Sequence, residues 1–99
     1  MDQQQIRDVF EAYFEKYKKT EGDQSSYSAY WAEHTPAGEL EINMTKCPAG
    51  TIFKIFKDKK KLTEVNGWAG FFKTMAEIGA KHPDLYDPDT FFASMREMT

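Results

Sequence analysis

The chain is poor in the residues that mark specialised chemistry. It carries a single cysteine in 99 residues, which excludes an intrachain disulfide framework and predicts a reducing compartment. Four prolines and six glycines are too few for a flexible linker or a low-complexity segment, and no internal repeat is present. No apolar run approaches the roughly 18–20 residues that would cross a bilayer, so no membrane association is expected. The opening Met-Asp-Gln-Gln-Gln is polar and acidic, the reverse of a secretory leader, and a cytoplasmic location is expected. Neither charge sign dominates: 16 acidic against 13 basic residues leave a net charge of −3. Such a surface exerts no global pull on nucleic acid. Gly-x-Ser-x-Gly, the phosphate loop and the dinucleotide fingerprint are all missing, so no cofactor is implied.

What the chain has is aromatic bulk, 15% of its residues. Residues 1–99 suit one globular domain. Surface scaling gives roughly 5,800 Å² exposed when folded, against about 17,000 Å² unfolded, enough for one core. Aromatics that bury about 150–250 Å² each can supply most of it.

Periodicity places the elements. Ile6, Phe10, Tyr13 and Tyr17, widened by Val9 and Phe14, predict a first helix over about 2–20, with Gly22 as its left-handed terminator. Over 23–34, alternation would place Tyr27, Ala29, Trp31 and Glu33 on one face. Helical spacing groups Tyr27, Tyr30, Trp31 and His34 instead, a cleaner partition. A second helix capped by Asp23 and ended by Pro36 and Gly38 is therefore expected, forming a hairpin with the first. Leu40, Ile42 and Met44 then alternate with polar neighbours as a half-buried strand does. Cys47-Pro48-Ala49-Gly50 reads as a turn, 51–57 as a second strand, and 61–65 as a third after a turn at Asp58-Lys59. Trp68, Phe71, Phe72, Met75 and Ile78 mark one face of a helix over 67–81, capped by Asn66 and stopped by Pro83. Asp87-Pro88 opens a last helix, with Tyr86 and Phe91 as a hydrophobic staple and Phe91, Phe92, Met95 and Met98 as its apolar face. The expected class is α+β: two N-terminal helices, a small antiparallel sheet of two to three strands, and two C-terminal helices, αα-βββ-αα.

Several groupings invite a chemical reading. Lys54, Lys57, Lys59, Lys60 and Lys61 interleave with Phe53 and Phe56, the composition of a nucleic-acid surface. Strand alternation, however, turns the two rings to opposite faces, and a lysine-protected hairpin explains the same residues. His34 and His82 are far apart, with no second ligand at helical spacing, and the acids around 84–89 lack the calcium-loop pattern, so no metal is expected. Cys47 follows Lys46, but no histidine lies nearby in sequence to make it a nucleophile. Tyr13, Tyr17, Tyr30, Trp31 and His34 are the candidates for an apolar pocket with polar tips; the plainer alternative is a core edge with its hydroxyls in water.

Ile6-Arg-Asp-Val-Phe-Glu-Ala-Tyr-Phe14, the Gly22-Asp23 break, Tyr27-Ser-Ala-Tyr-Trp-Ala-Glu-His34, the strand after it and Gly67-Trp-Ala-Gly-Phe-Phe72 follow one another in a familiar order. In order and character these segments resemble the first three helices and first strand of the NTF2-like superfamily, which includes SnoaL-like and ketosteroid-isomerase-type proteins. The resemblance covers residues 2–80. It implies either a small-molecule site, as in the family's isomerases and lyases, or a binding and dimerisation module. That family closes its pocket with long strands after the third helix, whereas residues 80–99 read as helical here. No general base or oxyanion tyrosine can be placed on this chain.

Apolar faces without a catalytic constellation point to a non-enzymatic binding domain whose partner is another protein or a second copy. Phe91, Phe92, Met95 and Met98 are the candidate interface. A small apolar ligand is the alternative occupant, and nucleic acid is disfavoured.

Overall fold

The structure is a computed structural model that describes residues 1–22 and 25–99. One helix, five strands and two helices follow in order: α1 Gln3–Tyr17, β1 Lys19–Glu21, β2 Ser26–Thr35, β3 Gly38–Cys47, β4 Gly50–Lys57, β5 Lys60–Asn66, α2 Trp68–Lys81 and α3 Pro88–Glu97. The strands form one antiparallel meander in the order β1-β2-β3-β4-β5. The exposed surface, 5836 Å², agrees with the scaling expected for this length.

α1 starts where Asp2 and Gln5 cap each other's backbone N–H, at 2.8 and 2.9 Å, the reciprocal arrangement that satisfies two orphan donors. Its stripe of Ile6, Val9, Phe10, Tyr13 and Phe14 is buried. Phe10 sits at the centre of the core, its ring 6.0 to 6.3 Å from those of Phe53, Trp68, Phe71 and Phe92. All three helices therefore share one core against one face of the sheet. That face is supplied by Leu40, Ile42, Met44, Phe53 and Ile55, all buried. Their sequence neighbours Glu41, Asn43, Lys54 and Phe56 lie on the opposite, open face, as period-2 alternation requires. α3 opens on Asp87 with Pro88 in its first turn, and the Tyr86 and Phe91 rings meet edge-on at 6.2 Å as the staple.

The expected class is corrected at the N-terminal half. Among the described residues there is one N-terminal helix, not two, and the sheet has five strands rather than two or three. Residues 26–35 are β2, paired with β3 from Tyr27↔Lys46 to Thr35↔Gly38. The mixed face that spoke against a strand is what the structure has: Ala29 is buried, Trp31 half-covered, and Glu33 accepts a hydrogen bond from the Trp31 indole Nε1 at 3.0 Å. A strand near the rim of a sheet need not present a uniformly apolar face, and long cross-strand pairing overrides a local helical grouping. α1 ends at Tyr17, so residues 19–21 are β1 rather than a last helical turn. Gly22 does have positive φ, +60°, but in the β1–β2 connection. The proposed cap Asp23 lies outside the described residues.

The Asp58-Lys59 turn has φ of 50° and 70°, the two positive values of the tight hairpin turn that matches strand twist. The Asp58 carboxylate accepts the Glu39 N–H at 2.9 Å, and that bond, with Lys57 behind it, holds its pKa below the usual carboxylate value. Gly38 (φ +124°) is needed beside it, because a Cβ there would fall 2.7 Å from Asp58 Oδ2. Asn66 does not cap α2. The cap position is Gly67, and the Asn66 amide donates to the Ala49 carbonyl at 3.4 Å instead.

Candidate functional site

The candidate site is the outer edge of β2. β1 is only three residues long and covers β2 from Ser26 to Ser28. Beyond it, β2 continues through residues 29–35 with no strand on that side among the described residues. The Tyr30 carbonyl points outward, since it accepts the Tyr13 hydroxyl at 2.8 Å. A strand residue's N–H and C=O point to the same side and alternate along the chain. Tyr30, Ala32 and His34 therefore offer their main-chain groups to the outside, while Ala29, Trp31, Glu33 and Thr35 bond to β3.

Two depressions lie in series along this edge. The first, about 750 Å³, is bordered by Tyr13 and Tyr17 of α1, Lys19 and Thr20 of β1, and residues 28–32 of β2. The second, about 250 Å³, runs from Glu33 to Pro36 and is walled by Pro83, Asp84, Leu85, Asp87, Thr90 and Phe91. The first is floored by aromatics. Tyr13 stacks obliquely on Tyr17 at 4.8 Å and meets Trp31 edge-on at 5.6 Å. Burial, and then the neighbouring Tyr17 and Tyr30 hydroxyls, raise the Tyr13 pKa, so its hydroxyl stays a hydrogen-bond donor. The Tyr17 hydroxyl donates to the Met98 carbonyl at 3.1 Å, tying the end of α1 to the end of α3. Tyr30 lies 58% exposed on the rim. The two ends differ in charge: Lys19 at the first, Glu33, Asp84 and Asp87 at the second.

Four of the five pocket candidates, Tyr13, Tyr17, Tyr30 and Trp31, thus border one groove, while His34 belongs to the second depression. Tyr30 and Trp31 point to opposite faces of β2, and both border the groove because it wraps around the strand edge. Sequence periodicity missed Ala32, whose main chain is the middle of the free segment; only a strand assignment would have found it. Phe91, Phe92 and Met95 are buried within the chain, and Met98 is 40% exposed.

The lysine cluster is largely partnered. Lys57 pairs with Asp58 at 3.1 Å, Lys61 with Glu64 at 2.8 Å, and Lys59 with Glu39 and Glu41 at 3.1 and 3.7 Å. Phe53 is in the core and Phe56 on the open face, so the two rings form no common platform. Cys47 is half-buried, its Sγ 3.5 Å from the Gly50 carbonyl. Among the described residues no group of three metal-ligating side chains occurs, and no helix is long and apolar enough to cross a membrane. No protein-family model, curated protein or solved structure matches this chain.

Proposed function

We propose that this chain is a non-enzymatic binding domain that receives an extended polypeptide along the outer edge of β2. The observation that carries this reading is a seven-residue strand edge with main-chain donors and acceptors turned outward, bordered along its length by two depressions. Strand addition takes its affinity from such main-chain groups and its specificity from pockets for alternate side chains. The described residues bordering the larger depression include hydroxyls, an indole and one ammonium, but no carboxylate, imidazole or thiol. That set suits recognition better than proton transfer. The paired lysines of the β4–β5 hairpin support a solvated surface rather than a nucleic-acid site, and the lone Cys47 thiol fits a cytoplasmic setting.

The test is selection of random peptides against the immobilised protein, repeated with Ala32→Pro. Selected peptides are expected to perturb the amides of Tyr30, Ala32 and His34 and to lose about two- to tenfold in affinity on the variant, since a missing hydrogen bond costs about 0.5–1.5 kcal/mol. Peptides that bind elsewhere, or ignore Ala32→Pro, would overturn the reading.

A second reading, an NTF2-like small-molecule site, draws support from the size of the larger depression and its four aromatic walls. It predicts that an apolar aromatic probe such as anilinonaphthalene sulfonate shifts the Tyr13, Tyr17 and Trp31 side-chain resonances at a single site. Saturation without those shifts would exclude it.

A further inference from the structure

We propose that the occupant of the free β2 edge is a second copy of this chain, the two β2 strands pairing antiparallel about a two-fold axis at Ala32 and joining the two five-stranded sheets into one. This rests on the reading of β2 as a strand-accepting edge and names its partner.

The free segment is symmetric about Ala32. β1 closes one end at Ser28, and Pro36, which has no N–H to donate, closes the other after Thr35. An axis at Ala32 sets Ala29 against Thr35 of the other copy, Tyr30 against His34, and Trp31 against Glu33, so all seven residues pair. The outward groups of Tyr30, Ala32 and His34 then meet the same three residues of the second copy, donor against acceptor. An axis at Tyr30 or His34 keeps that parity but runs into β1 or into Pro36.

The side chains and charges fit the same register. On the axis, two identical side chains face each other, and Ala32 is small enough for that. On the open face the exposed Tyr30 ring comes beside an imidazole. On the helix face the Trp31 indole comes beside a second Glu33 carboxylate, the group it already bonds at 3.0 Å in its own chain. The antiparallel arrangement brings the Lys19 end of each edge to the Glu33, Asp84 and Asp87 end of the other. Opposite charges meet twice, and a parallel arrangement would set like against like. The Tyr30 carbonyl has a second lone pair, so it can accept a cross-chain N–H while keeping the Tyr13 hydroxyl.

The register can be trapped covalently. Residues directly opposite in such a hydrogen-bonded pair have Cα atoms about 5.5 Å apart, within disulfide reach. In a Cys47→Ser background, Ala32→Cys is expected to give a disulfide-linked dimer on mild oxidation. Tyr30→Cys and His34→Cys are expected to cross-link when mixed but not alone. Sedimentation of the unaltered chain should show a species of twice 11.5 kDa that dissociates at least tenfold more readily in Ala32→Pro and as salt is raised. An unaltered chain that stays monomeric to millimolar concentration overturns the proposal, and so does Tyr30→Cys cross-linking to itself as readily as to His34→Cys. If the monomer still binds selected peptides at Tyr30, Ala32 and His34, only the identity of the partner is wrong; if it binds none there, the edge reading falls as well.

Discussion

At one edge of the sheet, β5 carries Lys60, Lys61 and Glu64, an ion pair between the last two, and a register shift opposite Ile55 and Phe56. At the other, β2 runs past the end of β1 with Tyr30, Ala32 and His34 turned outward and a single carboxylate, Glu33, among residues 29–35. Charges, bulges and short length are the devices by which a sheet refuses further strands. β5 uses all three. β2 uses its short neighbour β1 on part of its length and leaves the rest accessible. Both edges hang from the same core, so the difference between them is a matter of surface chemistry, not of stability.

The harshest way to break the comparison is to remove what the two edges share. Phe10→Ala deletes the ring at the centre of the aromatic cluster and is expected to cost about 3–5 kcal/mol, read as a lower urea midpoint. Both edges should lose amide protection together; loss at one edge alone would show that they are independent units. Ala32→Pro acts on one edge only. Its N–H points away from β3, so folding should shift little while binding at β2 weakens by about 1–3 kcal/mol, the worth of one or two hydrogen bonds. A large loss of stability in urea melts would place that N–H in an intrachain bond.

Tyr13→Phe is a gentler probe. Removing the hydroxyl that reaches the Tyr30 carbonyl should cost about 1 kcal/mol of stability. The same bond makes the edge sensitive to alkali. With the Tyr13 pKa raised above 10.0 in the fold, the neutral form is the stabilising one. Its contribution is complete below about pH 10 and is lost as pH rises through the raised value. Urea midpoints measured from pH 9 to 12 should fall more steeply for the unaltered chain than for Tyr13→Phe. The smallest expected effect on stability comes from Lys61→Val with Glu64→Val at β5, within about 1 kcal/mol for an exposed ion pair. Its informative consequence is association. With that ion pair gone, β5 should begin to self-associate at concentrations where Ala32→Pro alone stays monomeric.

Much of the fold is legible in the sequence because most elements have one face in the core and one in water. Leu40, Ile42 and Met44 alternate cleanly since β3 is central and its inward face is fully covered. The stripe from Trp68 to Ile78 is legible for the same reason. β2 is not, because Glu33 sits on its inward face at the rim, where water and the Trp31 indole can satisfy a carboxylate. A helical grouping of Tyr27, Tyr30, Trp31 and His34 then looks tidier than the true alternation. β1 is too short to carry any period. The candidate site was legible in its aromatic residues and illegible in its main chain: Tyr13, Tyr17, Tyr30 and Trp31 announce a surface, whereas outward-facing N–H and C=O groups leave no mark on a sequence.

The most direct test is amide hydrogen exchange along β2 at two protein concentrations. At low concentration, Tyr30, Ala32 and His34 should exchange quickly while Trp31 and Glu33, bonded to β3, remain protected. At high concentration or with a selected peptide, protection should extend to all five. Slow exchange of Tyr30, Ala32 and His34 in the dilute chain, or fast exchange that nothing suppresses, would contradict a strand edge held open for a partner.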